Sequence, residues 1–334
     1  MTKKQCYTMN KLTNFWKLPE YSNKPNFIIC GAMKSGTTTL HAILNQHPDV
    51  FIPQKEIHYF DMDNIVQHPD FNTFEDGKWH YNDISNMPEK YWHWYSSQFD
   101  QANEGQLLGE DSTTYLASPL AAERISLQSV QPKIIIMLRN PTSRAYSQYW
   151  HLLRSGRATY SFEDTIKYNP HSVLDRSMYL SQLKHYYQYF PKHQIKIVIF
   201  EDFLSEKLKH MTDICSFLEI DIKTLPESVF LVHKNQSRIP KYPYLQLLKN
   251  RFFRAGGNNN YNDHFFHNTT SKKPITFIRL IEYMHRKINP LIAVKAPKIE
   301  LSTKLFLDDY FKRELAGINE LLEKDVLSLW FNDD

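Results

Sequence analysis

Cysteine is scarce: three residues in 334, at positions 6, 30 and 215. That excludes a disulfide framework, and no Cys/His spacing typical of a metal site is present either. Cys30 falls in an apolar strand pattern and Cys215 in a helical one, and both read as reduced core residues. No apolar run reaches the ~20 residues of a membrane span. The polar beginning, with Lys3, Lys4 and Lys11, lacks the apolar stretch of a secretory signal. Together these absences lead us to expect a soluble, cytoplasmic protein. Strong charge is also missing: 40 Lys and Arg stand against 36 Asp and Glu, a net of +4. So mild an excess does not call for a nucleic-acid partner, and it suits an anionic ligand. Repeats and low-complexity tracts are absent.

Aromatic residues are plentiful, at 14%, mostly Tyr and Phe. They supply a substantial core and, on another reading, stacking surfaces. The apolar fraction of 42% and charged fraction of 23% are ordinary for a globular enzyme. The length permits one large domain or two small ones. No composition break marks a boundary, so we expect an N-terminal arm over 1–25 and a single domain over 26–334.

Hydrophobic patterning predicts strands over 27–30, 49–52, 107–110, 133–138 and 194–200. Helical patterns follow several of them: 37–44, 119–128, the segment opening at Pro141, 204–218 and 303–323. Pro141 is placed to start a helix, since proline suits the first turn. Strands alternating with helices indicate an α/β fold with a largely parallel sheet. Residues 61–100, with a short helix near Pro88–Tyr95, and 245–300 read as excursions on the acceptor side. The stretch Gly256-Gly257-Asn258-Asn259-Asn260 reads as a mobile tip.

The most informative stretch is Asn26–Thr38, N-F-I-I-C-G-A-M-K-S-G-T-T. A buried strand, a loop bracketed by Gly31 and Gly36, and a helix N-terminus converge backbone N–H groups and the helix dipole on one point, an anion site. The glycine spacing matches a Walker A loop, G-x-x-x-x-G-K-[ST], but Thr37 stands where the lysine belongs and Lys34 lies inside the loop instead. The loop resembles the 5′-phosphosulfate loop of sulfotransferases that use 3′-phosphoadenosine 5′-phosphosulfate (PAPS).

Four further segments share that resemblance. Lys55-Glu56-Ile57-His58-Tyr59-Phe60-Asp61 is similar to the K-E-x-H-[FY]-F-D segment of the heparan-sulfate branch, where the glutamate is the base. A carboxylate within reach of an acceptor hydroxyl takes its proton as it attacks sulfur, and burial beside Ile57 and Tyr59 is expected to raise the Glu56 pKa toward neutrality. Leu138-Arg139-Asn140-Pro141 through Tyr149 is similar to the family's 3′-phosphate site, L-R-[DN]-P-x-x-R-x-x-S-x-[YF]. Arginine offers paired donors and serine a neutral one. Arg144 reads as structural or rim. His233 through Pro243 lies where the family has a basic loop, with Ser237 and Arg238 carried over; a solvated basic loop is the other reading. Gly109-Glu110-Asp111-Ser112-Thr113-Thr114-Tyr115-Leu116 resembles the family's G-E-K-[ST]-x-x-Y-L, with Asp111 replacing its lysine.

The resemblance implies the PAPS sulfotransferase fold, a P-loop-like central parallel sheet flanked by helices, in a soluble bacterial member. It implies a donor site of Lys34, Ser35, Gly36, Thr37, Thr38, Arg139, Ser147, Ser237 and Arg238. Catalysis falls to Glu56, Lys34 and His58, although a structural role for His58 is equally open. Lys55, His58 and Tyr115 become acceptor contacts. Tyr91, Trp92, Trp94 and Tyr95 either stack on an acceptor ring or pack the 61–100 excursion. The acceptor is a glycan, lipid or small molecule. No metal is expected, because Arg139 occupies the strand end where a metal-binding acid would stand. The alternatives are a P-loop kinase or NTPase and a non-catalytic nucleotide-binding protein.

Overall fold

A computed structural model describes residues 15–231, 238–253 and 277–331. Cys6, Ser237 and the 256–260 stretch lie outside the described residues. The chain divides into two compact units. One comprises the chain to Arg139 together with Ser181–Val232, and the other comprises Asn140–Leu180 and the chain after residue 232.

The first unit holds a five-stranded parallel sheet. Its strands are β1 (Phe27–Gly31), β2 (Val50–Phe51), β5 (Leu107–Asp111), β6 (Lys133–Leu138) and β7 (Ile195–Ile199), ordered β2-β5-β1-β6-β7. A short antiparallel hairpin, β3 (Thr73–Glu75) with β4 (Lys78–His80), lies in the 61–100 excursion. β1 and β6 are central, buried on both faces, and so read as unbroken apolar runs. Helix Thr37–Leu44 lays Leu40, Ile43 and Leu44 into a core with Ile29, Met137, Val198, Met211 and Ile214. Two expected helices are each interrupted: 204–218 resolves into Phe200–Ser205 and Lys207–Leu218, and 303–323 into Leu301–Glu314 and Ile318–Leu322. Gly317 in the left-handed conformation separates the latter two.

The second unit is mainly helical. Helix Pro141–Arg154 starts at proline as expected, capped by Asn140, whose side chain accepts from the Ser143 N–H at 2.8 Å. Thr142 Oγ1 donates to Asp308 Oδ1 on helix Leu301–Glu314 at 2.5 Å. Strands β8 (Arg238–Pro240) and β9 (Leu291–Ala293) pair antiparallel. Among the described residues no helix is long and apolar enough to cross a membrane.

Candidate active site

The glycine loop leaves the C-terminal end of β1, where ligands of open α/β sheets gather. Gly31 has φ +139° and Gly36 φ +91°. A Cβ on Gly36 would meet the Phe200 ring at 2.6 Å, and one on Gly31 would meet the Thr113 carbonyl oxygen at 2.7 Å. Only glycine fits either position. No side chain caps helix Thr37–Leu44, so its first N–H groups face the loop, as an anion site requires. Ser35 is buried, and its Oγ has no hydrogen-bond partner among the described residues. An orphaned hydroxyl inside an N–H cradle fits a bound phosphate oxygen. Lys34 has φ +72°, and its carbonyl accepts from Arg139 Nη1 at 3.1 Å. The Arg139 guanidinium lies 5.0 Å from the centre of the Phe200 ring. Thr37 is buried and Thr38 exposed.

Beside the loop, β5 and the turn after it hold segment 56–61 in place. The His58 N–H donates to Ser112 Oγ at 2.9 Å and the Phe60 N–H to Tyr115 Oη at 3.0 Å. Ser112, Tyr115 and Tyr95 then all donate to buried Glu110, at 2.7, 2.6 and 2.5 Å. Burial raises the Glu110 pKa despite these three donors. Glu56 receives the Thr113 hydroxyl at 3.0 Å and His58 Nε2 at 3.1 Å on the same oxygen, and its side chain is 35% exposed. His58 Nδ1 reaches Thr114 Oγ1 at 3.1 Å, and His68 Nε2 lies 2.7 Å from Asp61 Oδ1 and 3.3 Å from Thr114 Oγ1. A polar relay thus runs from Glu56 through His58 and Thr114 to His68 and Asp61.

The titration of Glu56 corrects the sequence reading. Burial does push its carboxyl upward, but the His58 hydrogen bond and charge, joined by Thr113, outweigh that and leave the pKa below the usual value. For His58, burial pushes downward, and the Glu56 bond and charge outweigh it and raise the pKa. The two therefore form an ion pair. Asp111 lies next to them, bonded to His41 Nδ1 at 3.2 Å; burial first, then the Glu56 charge, lift its pKa to about 6.

Lys34, Ser35, Gly36, Thr37, Thr38, Lys55, Glu56, His58, Tyr115 and Arg139 all lie in the first unit. Lys55 is exposed. Tyr115 does not fit an acceptor contact: it is fully buried, with its hydroxyl bonded between Glu110 and Phe60. Tyr91 and Tyr95 are likewise buried and pack the excursion. Ser147 and Arg238 belong to the second unit, half-buried and exposed respectively. Arg144 there is wholly buried, bonded to Ser177 Oγ and the Val173 carbonyl, so it is structural. Glu110, Thr113, Thr114, His41 and His68 escaped the sequence reading. The G-E-D-S-T-T-Y segment signalled the first three, whereas His68 sits in an excursion without a motif. His58, Asp61 and His68 also bring one possible metal-ligand atom each within 4.8 Å of one another, a grouping that sequence spacing did not reveal. Hydrogen bonds within the relay already account for that closeness.

Comparison with known proteins decides the family. A family model described as the sulfotransferase domain matches residues 24–275. The chain belongs to the sulfotransferase family. The chain is 28% identical over 207 residues to mouse heparan sulfate glucosamine 3-O-sulfotransferase 5, covering 59% of this chain and 54% of that protein. It is 27% identical over 202 residues to human heparan sulfate glucosamine 3-O-sulfotransferase 3B1, covering 58% and 46%. The chain thus spans about half the length of these curated relatives. The crystal structure of a sulfotransferase from Alicyclobacillus acidocaldarius superimposes with a TM-score of 0.59 at 25% identity, covering 92% of this chain and 99% of that one. The sheet and flanking helices are therefore the sulfotransferase fold.

Proposed function

We propose that the protein transfers a sulfuryl group from PAPS to a hydroxyl or amine of a glycan, lipid or small-molecule acceptor, in line, with Glu56 as base. The carrying observation is the placement of Glu56. Thr113 and His58 fix its carboxylate at the sheet end that also bears the glycine loop. In this reading the loop N–H groups, Ser35 and Thr37 hold the 5′-phosphate, and Arg139 receives the 3′-phosphate. Lys34 balances the charge that develops on the departing phosphate oxygen. The acceptor oxygen or nitrogen bonds to sulfur as the sulfur–oxygen bond to the nucleotide breaks, and the acceptor proton passes to Glu56. His58, held protonated by its partner, keeps Glu56 ionised and oriented until the acceptor arrives.

The names of the heparan sulfate relatives support a sugar hydroxyl as acceptor. Asp111 beside Glu56 weighs against a densely anionic one, since like charges at the site repel. Cys30 and Cys215, both free and buried, suit the cytoplasm. The test is calorimetric titration with 3′-phosphoadenosine 5′-phosphate against ADP and ATP, in EDTA and without Mg²⁺. The expected result is tighter binding of the 3′-phosphorylated nucleotide with no metal present. Preference for ATP, or binding only with Mg²⁺, would remove PAPS as the donor and void the roles of Arg139 and Glu56.

A further inference from the structure

Two helices of the second unit, Pro243–Phe252 and Phe277–Ile288, carry their polarity the wrong way round. A surface helix normally turns its apolar stripe to the core and its polar face to water. Here the fully buried groups of the first helix are polar. Asn250 is fully buried and donates to the carbonyls of Leu153 and Ala158 at 2.9 and 2.8 Å. Gln246, also buried, donates to Asn250 Oδ1 and meets His285 Nε2, both at 2.9 Å. Lys249 pairs with Glu282 at 3.6 Å, and Asn289 closes both backbone groups of Tyr242 at 2.7 and 3.0 Å.

The outward groups are apolar. Tyr283, Met284 and Ile288 lie three, four and eight residues after Leu280, so they share one face, and each of the four is 52–59% exposed. Tyr244 and Phe252 on the neighbouring helix are about 70% exposed. The inward hydrogen bonds and ion pair fix this orientation: turning either helix over would part Glu282 from Lys249 or take Asn250 and Gln246 from their partners.

Charge identifies what covers the face. Stretches 241–253 and 280–298 contain seven Lys or Arg and one acid, Glu282, an excess larger than the whole chain's +4. Lys241, Arg251, Arg286, Lys287, Lys295 and Lys298, all exposed, lie on or next in sequence to these helices. A second copy of the chain would set this cationic face against itself. A polyanionic glycan would satisfy the cations and leave the stripe in water. We propose that the face docks the protein peripherally on an anionic lipid bilayer. The four apolar side chains enter the boundary between headgroups and acyl chains, and the Lys and Arg side chains stay at the phosphate level.

The test is co-sedimentation of the full chain with vesicles of phosphatidylcholine alone and of phosphatidylcholine with about a third phosphatidylglycerol. The expected result is at least ~10-fold tighter partition onto the anionic vesicles, weakening with added salt. Leu280→Glu/Met284→Glu should remove most of this binding. Lys287→Glu/Lys295→Glu, on exposed positions that leave the fold untouched, should remove the preference for anionic lipid. Three results would overturn the proposal: equal or absent binding to both vesicle types; undiminished anionic binding by the Leu280→Glu/Met284→Glu variant; or a lipid-free native dimer by light scattering that this variant converts to monomer.

Discussion

Glu56 and Glu110 are two carboxyls in the same unit, beside the same turn after β5, and burial presses both toward the neutral form. Their partners send them in opposite directions. Glu110 is closed by the hydroxyls of Tyr95, Ser112 and Tyr115, which soften the cost of burial without cancelling it, so its pKa stays raised. Glu56 has an imidazole at 3.1 Å that becomes a cation, and its pKa falls. Glu110 is sealed in the interior, whereas Glu56 keeps a third of its side chain open to an arriving molecule. A hydrogen-bonded acid in the interior is scaffold, and an ion-paired acid at the rim is poised for chemistry.

The sharpest break of this contrast is Glu56→Gln. It should lower kcat by ~10²–10⁴-fold, the usual worth of a general base, while leaving affinity for 3′-phosphoadenosine 5′-phosphate unchanged by calorimetry. A variant with native kcat would remove Glu56 as base. Glu110→Ala should instead act through stability. It leaves three buried hydroxyls without their acceptor and releases the supports of His58 and Phe60, so denaturant unfolding should show a loss of at least ~2 kcal/mol. An unchanged midpoint would demote Glu110 from scaffold.

The smallest effect is a shift in pH dependence. With Glu56 as the proposed base, activity needs it ionised and falls as pH drops through the Glu56 pKa. His58 lowers that pKa, and its removal must raise it. His58→Asn should therefore move the acid limb of the kcat/KM profile to higher pH. A limb that stays in place would show that His58 does not tune the base.

The contrast also explains what the sequence made legible. The glycine loop and the strands 27–31 and 133–138 announce themselves because buried parallel strands are unbroken apolar runs and a tight anion loop needs glycine at fixed spacing. Glu56 stands out in the sequence because its neighbours Lys55 and His58 form a recognisable run. The direction of its pKa does not, because that depends on which way His58 faces, a consequence of its left-handed backbone and its bond to Ser112. Tyr115 was assigned outward when it points in, since a motif position carries no orientation. Asp61 and His68 are close only because the excursion folds back between them, and local spacing cannot express that.

Phe200 stands just after β7 with its ring close to both Gly36 and the Arg139 guanidinium. One aromatic side chain is therefore a party wall between the glycine loop and Arg139, the two elements proposed to take the nucleotide's phosphates, which are far apart in the chain. Drift in either element must be accommodated by the same ring. Any attempt to re-engineer the nucleotide preference of this protein would have to change position 200 together with the loop or with Arg139, in paired steps rather than single ones.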